Sequence, residues 1–226
     1  LDRFAAGQIP SGWDATRFGL PAEIVDQVDR STLFLLIATA DAFLSAGIEP
    51  EDLYGFMHPS RVGSTQSSGI GGMLKLRRLY QDFILDQERQ SDVLQETLIN
   101  VIAGWVVQSY LGSYGTMSFP VGACATAAVS VAEAARKIEC GEADVVLTGG
   151  VDDWGPEGLV GFLDMNATAS TSDMAAKGVE PSRISRPNDE RRGGFVEGQG
   201  GGAAILCRAD LALKAGLPVH GVIVFG

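Results

Sequence analysis

Histidine and cysteine are scarce in this chain. His58 and His220 are its two histidines, and Cys124, Cys140 and Cys207 its three cysteines. They form no cluster at metal-ligand spacing, and neither a C-x-x-C pair nor an H-E-x-x-H segment occurs, which removes the common zinc and dithiol motifs. An odd number of widely spaced cysteines fits a reducing compartment. Positive charge is short as well: 17 Lys and Arg face 28 Asp and Glu, for a net charge of -11. The local patches, Arg191-Arg192 and Lys75 to Arg78, read as solvated turns or helix faces, so no footprint for nucleic acid is present. The opening LDRFAAGQIPSGWD has no apolar core of the kind a signal peptide needs. The longest apolar stretch of the early helix, Leu33 to Ala38, is far too short to span a bilayer. These absences predict a soluble, cytoplasmic protein without nucleic-acid or membrane partners.

What is abundant is apolar residues, 46% of 226, and glycine, 29 residues clustered at expected turns. That is enough for one large domain or part of a larger one. Pro21 opens a helix with Glu23 in its first turn, and Leu33, Leu36, Ile37 and Ala40 recur at helical spacing to about Ala46, where Gly47 ends the element. Its apolar residues point several ways, which predicts a sandwiched helix. A short strand is expected between residues 47 and 72, before a tight bend, SSGIGG at 67–72. The P-loop lysine is missing there, so close backbone packing is the better reading than a phosphate loop. Residues 73–114 read as two or more helices, in which Trp105 and Tyr110 suit a core better than an interface.

The clearest α/β unit runs from Val121 to Gly150. Val129, Ala132, Ala135 and Ile138 place an apolar face on a helix starting near Ala125 and stopped by Gly141. A short buried strand and a glycine turn, DVVLTGG at 144–150, follow. Another strand is expected over Ala203 to Cys207, then ADLALKAG at 209–216 and a strand-like 219–226. This succession favours α/β architecture. Asp152 and Asp153 read as turn aspartates with capping duties rather than a cation site.

Cys124 lies in SFPVGACATAAVSVAEAA (118–135), between an apolar, strand-like approach and the alanine-rich helix. A thiol at such a turn can be a nucleophile, because a helix N-terminus favours its anion. A free cysteine can equally be a buried hydrophobe. The GACAT run lacks the glycine-x-nucleophile-x-glycine spacing of the hydrolase elbow. If the sulfur is a nucleophile it can take an acyl group from a thioester, with the Cys124 amide as an oxyanion donor. The acid–base partner is not evident: His58 precedes Pro59 in a loop, and His220 lies in the strand-like run.

Three ordered segments carry a resemblance. VGACATAAVSVAEAA (121–135), CGEADVVLTGGVDD (140–153) and SRPNDERRGGFVEGQGGGAAILC (185–207) resemble the active-site segment, the helix exit with its strand, and the R-P-F-D…R-x-G-F-V-x-G-E-G-x-G segment of beta-ketoacyl synthases in the thiolase superfamily. GGVDDWGPEG (149–158), FLDMNATAS (162–170), EGQG (197–200), DRSTLFLLIATADAFLSAGI (29–48) and QSSGIGGM (66–73) are similar to the condensing domain of giant type I fatty acid synthases, of the fungal alpha-chain and bacterial single-chain type.

The resemblance implies a layered αβαβα thiolase-like fold, of which residues 1–226 supply the N-terminal part, ending before the second half. It implies that Cys124 is the nucleophile and its amide an oxyanion donor. An acyl group would arrive on the phosphopantetheine of an acyl carrier protein, and decarboxylative condensation with malonyl thioester would give a 3-ketoacyl product. No cofactor or metal would bind this domain directly. The implied partners are acyl carrier protein, other domains of a multifunctional synthase, and a second copy meeting residues Ser109 to Val121. Two histidines, a lysine and a second oxyanion donor belong to the family's second half, so the isolated fragment is expected to be inactive. Asn188 stands where the family commonly has phenylalanine, and Gln199 where it has glutamate; the latter suits the giant-synthase branch. Polyketide synthase or thiolase-like acyl transfer, and a non-enzymatic chain-length-factor-like module, are the alternatives.

Overall fold

The computed structural model describes residues 2–3, 5–88, 91 and 93–224. In chain order its elements are α1 (Ala22–Gln27), α2 (Arg30–Ala46), β1 (Val62–Ser67), α3 (Met73–Ile84), α4 (Val93–Glu96), α5 (Ile99–Val106), β2 (Met117–Ser118), α6 (Thr126–Glu139), β3 (Val145–Asp152), α7 (Pro156–Asp164), α8 (Thr171–Ala176), β4 (Gly200–Cys207) and α9 (Ala209–Ala215). The chain divides into two compact units, residues 13–152 with 201–226 and residues 1–12 with 153–200.

The larger unit holds one sheet in the order β2-β1-β3-β4. β1 runs parallel to β2, with Ser64 opposite Met117, and parallel to β3, with Val62 opposite Val145 and Ser67 opposite Gly150. Every residue of β1, and Val145 to Val151 of β3, is buried. Burial on both sides is what helices on both faces of a parallel sheet produce. Neighbouring residues of β3 look opposite ways. Gly150 meets Ala127 of α6, and Val151 and Phe34 of α2 both flank Gly201. On one face Ala134, Ala143 and Val146 form a small core with Ile138 and Leu206. On the other, α2 and α5 pack on each other and on β3 and β1.

The expected early helix is two. α1 ends before Val28, and Asp29 caps α2 by accepting from the Ser31 amide at 2.9 Å and the Ser31 hydroxyl at 2.7 Å. Ser31 to Leu36 are all buried, as a sandwiched helix requires, and Gly47 at φ 69° ends α2. α6 departs from the expected apolar stripe. It buries Thr126, Ser130, Ala134 and Ala135, while Val129 is 39% exposed. The reason is distance. A Cβ on Gly150 would lie 2.9 Å from the Ala127 Cβ, so the sheet-facing side of α6 has room for small residues only.

The same crowding corrects the glycine turn expected after residue 148. Gly149 and Gly150 lie inside β3, because a side chain at Gly149 would strike the Gly202 carbonyl and one at Gly150 would strike α6. The strand-like approach to Cys124 shortens to Met117–Ser118. The strand-like tail is also corrected: 217–224 form no regular element, and Val222 and Val224 are 76% and 80% exposed. A β-run forms a strand only where a neighbour accepts its backbone hydrogen bonds. Residues 225 and 226 of that run lie outside the described residues, as do 89, 90 and 92 of the expected helical region.

The smaller unit has its own core of Ala169, Met174, Val179 and Ile184, against which Ala5 and Val196 pack. The Asp2 carboxylate accepts from the Ser170 hydroxyl at 2.6 Å and the Ser172 amide at 3.0 Å, fastening the N-terminal segment to the start of α8.

Candidate active site

Cys124 sits two residues before α6, on a turn that the local sequence closes tightly. The Ala125 amide donates to the Gly122 carbonyl (2.9 Å), and the Thr126 amide to the Ala123 carbonyl (3.1 Å). The Thr126 hydroxyl clasps both sides: it accepts from the Gly122 amide at 2.9 Å and donates to the Ala123 carbonyl at 2.7 Å. Thr126 is buried, so water does not compete for this hydroxyl. Ala123 is held at φ 49°, the left-handed region that costs a residue with a Cβ about 1–2 kcal/mol. Gly122 has no room for a side chain, since a Cβ there would lie 2.8 Å from Val129 Cγ2. The outcome is an exposed thiol at a strained elbow. Cys124 is a free cysteine, and its backbone forms an isolated bridge with Gly122. The bland alternative of a buried cysteine does not describe this residue.

The glycine-rich bend backs the elbow. Asp152, at the end of β3, accepts through Oδ1 from the Ser68 hydroxyl (2.8 Å), the Gly69 amide (2.8 Å) and the Ile70 amide (3.3 Å). The Ser68 hydroxyl in turn accepts from the Gly71 amide at 2.8 Å. A Cβ on Gly69 would lie 2.8 Å from the Ala123 carbonyl oxygen, and one on Gly72 would strike the Glu96 carbonyl. The bend is therefore a close-packing device, as its sequence suggested. Asp152 has the expected capping duty. Asp153 belongs to the smaller unit and is 3% exposed, accepting from Gln199 Nε2 at 2.9 Å.

His58 is exposed and caps a short turn, accepting from the Ser60 amide at 3.3 Å, with Tyr114 edge-on at 5.8 Å. His220 is exposed in the irregular tail. Trp105 is partly buried and donates to Glu96 Oε1 at 3.0 Å; Tyr110 stacks on Phe43, and burial raises its phenol above the usual value. Asn188 stands at φ 62°, a conformation asparagine tolerates far better than a bulky aromatic residue does. Beside it, hydrogen bonds from Arg186 and then from the Arg191 amide hold the Asp189 carboxyl well below the usual carboxylate range. Burial raises Glu197. Among the described residues no group of three or more His, Cys, Asp or Glu is placed to hold a metal ion, and no helix is long and apolar enough to cross a membrane.

Sequence reasoning proposed Cys124 and missed what holds its turn. Thr126 and Asp152 were both in view, the first two residues after the cysteine and the second after the glycine pair, but nothing local says that a threonine or an aspartate reaches back to a turn.

Comparison with known proteins supplies the family. The sequence model described as "Beta-ketoacyl synthase, N-terminal domain" matches residues 2–212. The fatty acid synthase alpha subunit stcJ of Emericella nidulans is 48% identical over 219 residues, 96% of this chain and 14% of that protein. Fatty acid synthase subunit alpha of Candida albicans is 46% identical over 224 residues, 99% of this chain and 12% of that one. The corresponding subunit of Saccharomyces cerevisiae is 42% identical over the same length, with the same coverage. The chain thus spans 12–14% of the length of these curated relatives. Among solved structures, the ketosynthase FabY from P. aeruginosa superposes with a TM-score of 0.88 at 23% identity, over 97% of this chain and 35% of that one. That likeness bears on the fold, and it is the thiolase-like condensing-enzyme fold expected from the sequence. With the family match running over nearly its whole length, the chain belongs to the beta-ketoacyl synthase family and corresponds to the N-terminal domain of that family.

Proposed function

We propose that this chain is the nucleophile-bearing part of a condensing enzyme for fatty acid synthesis, and that Cys124 carries the growing acyl group. In the first step the Cys124 thiolate attacks the carbonyl carbon of an acyl thioester on the phosphopantetheine of acyl carrier protein. The carrier thiolate leaves, and a cysteine thioester remains. In the second, malonyl thioester loses carbon dioxide; the electron pair of the broken bond forms a carbanion that attacks the Cys124 thioester. The new carbon–carbon bond gives a 3-ketoacyl thioester, and Cys124 leaves as thiolate. The observation that carries this reading is the elbow itself: an exposed cysteine at a strained turn, with a helix beginning two residues later without a side-chain cap. The Cys124 amide is suited to the oxyanion of each tetrahedral intermediate.

The residues completing the site, including the acid–base histidines, would come from the family's second half. The setting would be a multifunctional cytoplasmic synthase with carrier protein as partner. A homodimeric unit is supported by β2, an edge strand of the sheet, with Tyr114 (67%), Met117 (42%) and Val121 (55%) exposed around it.

The test uses the full polypeptide that carries this chain. Cys124→Ala should abolish 3-ketoacyl product from acyl and malonyl carrier protein without lowering the unfolding temperature; wild-type product would defeat the assignment. Cys124 and Cys140 are both exposed. Selective labelling of Cys124 by an acyl-mimicking haloacetamide would therefore report reactivity rather than access, and equal labelling would count against a nucleophile. Product profiles of reduced fatty acyl chains against polyketides separate the two synthase readings.

A further inference from the structure

We infer that Asp152 is a positioning residue for the Cys124 amide, acting through the Ser68–Ile70 bend and the Ala123 carbonyl. The inference rests on the reading of Cys124 as an acyl-accepting nucleophile. Its basis is a chain of contacts within the larger unit. Asp152 Oδ1 collects three donors from the bend, at 2.8 Å from Ser68 Oγ, 2.8 Å from the Gly69 amide and 3.3 Å from the Ile70 amide. Charge-assisted bonds of this kind are roughly twice as strong as neutral ones. The bend already has a second anchor at its far end, where Asp29 Oδ2 accepts from the Lys75 amide at 3.1 Å. Asp152 therefore fixes specifically the end that meets the elbow. There Gly69 is pressed between two groups: a Cβ on it would lie 3.1 Å from Asp152 Oδ2 and 2.8 Å from the Ala123 oxygen.

The Ala123 carbonyl and the Cys124 amide belong to one planar peptide unit. A wall against that carbonyl oxygen fixes the direction in which the Cys124 N–H points. Ala123 needs such a wall, because a non-glycine residue at φ 49° persists only where its surroundings over-determine it. The Thr126 hydroxyl holds the carbonyl from the helix side, and Gly69 closes the opposite side. Asp152 touches neither sulfur nor substrate in this account. It sets the aim of an oxyanion donor.

An oxyanion donor acts on the tetrahedral intermediate and not on displacement at a saturated carbon, which gives a readout that general loosening of the site would not give. In the full polypeptide, Asp152→Ala should lower kcat and kcat/KM together by about 10- to 100-fold, the scale set by a misplacement near 1 Å, with KM unchanged. Alkylation of Cys124 by iodoacetamide should keep its wild-type rate. Asp152→Asn retains an acceptor oxygen and should restore most of the turnover. Gly69→Ala attacks the same contact from the bend and should reproduce the split between slowed acyl transfer and normal alkylation; it decides the matter if Asp152→Ala does not fold. Wild-type acyl transfer in both variants would overturn the inference, as would parallel collapse of alkylation, acyl transfer and thermal midpoint in Gly69→Ala. Turnover surviving in Cys124→Ala would instead remove the underlying reading, leaving the two failures distinct.

Discussion

Thr126→Val is the sharpest perturbation of the elbow. Valine keeps the buried shape and removes the hydroxyl that accepts from the Gly122 amide at 2.9 Å and donates to the Ala123 carbonyl at 2.7 Å. Each bond contributes about 0.5–1.5 kcal/mol net. Gly122 is half-buried and Ala123 exposed, so water re-satisfies part of what is lost. The lower half of that range applies, about 1–2 kcal/mol for the pair. This is comparable with the roughly 1–2 kcal/mol of left-handed strain at Ala123 that the clasp opposes. Each kcal/mol of lost bias shifts the ratio of closed to relaxed elbow by about fivefold. Single-turnover acylation of Cys124, followed as a mass shift on the intact polypeptide, should therefore slow about 5- to 30-fold in Thr126→Val. Thr126→Ser keeps the hydroxyl and should stay close to wild type. Equal acylation rates in the two variants would refute the claim that this hydroxyl holds the elbow shut.

Three further outcomes follow from the same geometry. Gly150→Ala places a methyl 2.9 Å from the Ala127 Cβ and 3.1 Å from the Ser67 carbonyl, so it should destabilise by about 1–3 kcal/mol, read as a lower thermal midpoint, and slow acylation by displacing the first turn of α6. Ala123→Gly relieves the positive φ and should raise the thermal midpoint slightly; a lowered midpoint would mean that the conformation is not strained. Asp144 is held below the usual carboxylate range chiefly by the Arg61 hydrogen bond and then by that from Arg208. A depressed folded value makes its stabilisation complete above the unfolded value and lost as pH falls through the folded one. Thermal midpoints should therefore drop on acidification below about pH 4, with a shallower slope in Asp144→Asn.

What could be read from the sequence was set by interaction range. The glycine stop after residue 46 and the helix after Cys124 follow from local rules and stand where those rules put them, whereas the single helix expected from Pro21 breaks at Val28. The apolar stripe on α6 holds at Ala135 and Ile138 but not at Val129, because the helix lies against glycine in the sheet, and the gap between two elements is a property of neither alone. The glycine pair of β3 misled for the same reason. Its turn-like composition reflects the Gly202 carbonyl on one side and Ala127 on another, contacts 53 and 23 residues away along the chain. The run from residue 219 had strand composition, but among the described residues no strand pairs with it. Cys124 was legible because a thiol among glycine and alanines is a local pattern, and the family resemblance added its expected role. Its supports were not, since Asp152 and Ser68 lie 84 positions apart.

Small residues explain both that limit and the chemistry. Gly69, Gly122 and Gly150 bring the bend, the elbow and β3 within contact distance of one another. None of them contributes a polar side chain, so composition alone gives them no function. Yet a methyl at any of the three would force movement of a backbone or a neighbouring side chain. Polar groups then fix what the glycines bring close: Asp152 on the bend and Thr126 on the elbow. Glycine supplies proximity and hydrogen bonding supplies direction, and the proposed nucleophile with its adjacent amide would need both. A variant that keeps every polar group but adds one methyl at Gly69 should therefore impair acyl transfer as severely as one that removes Asp152.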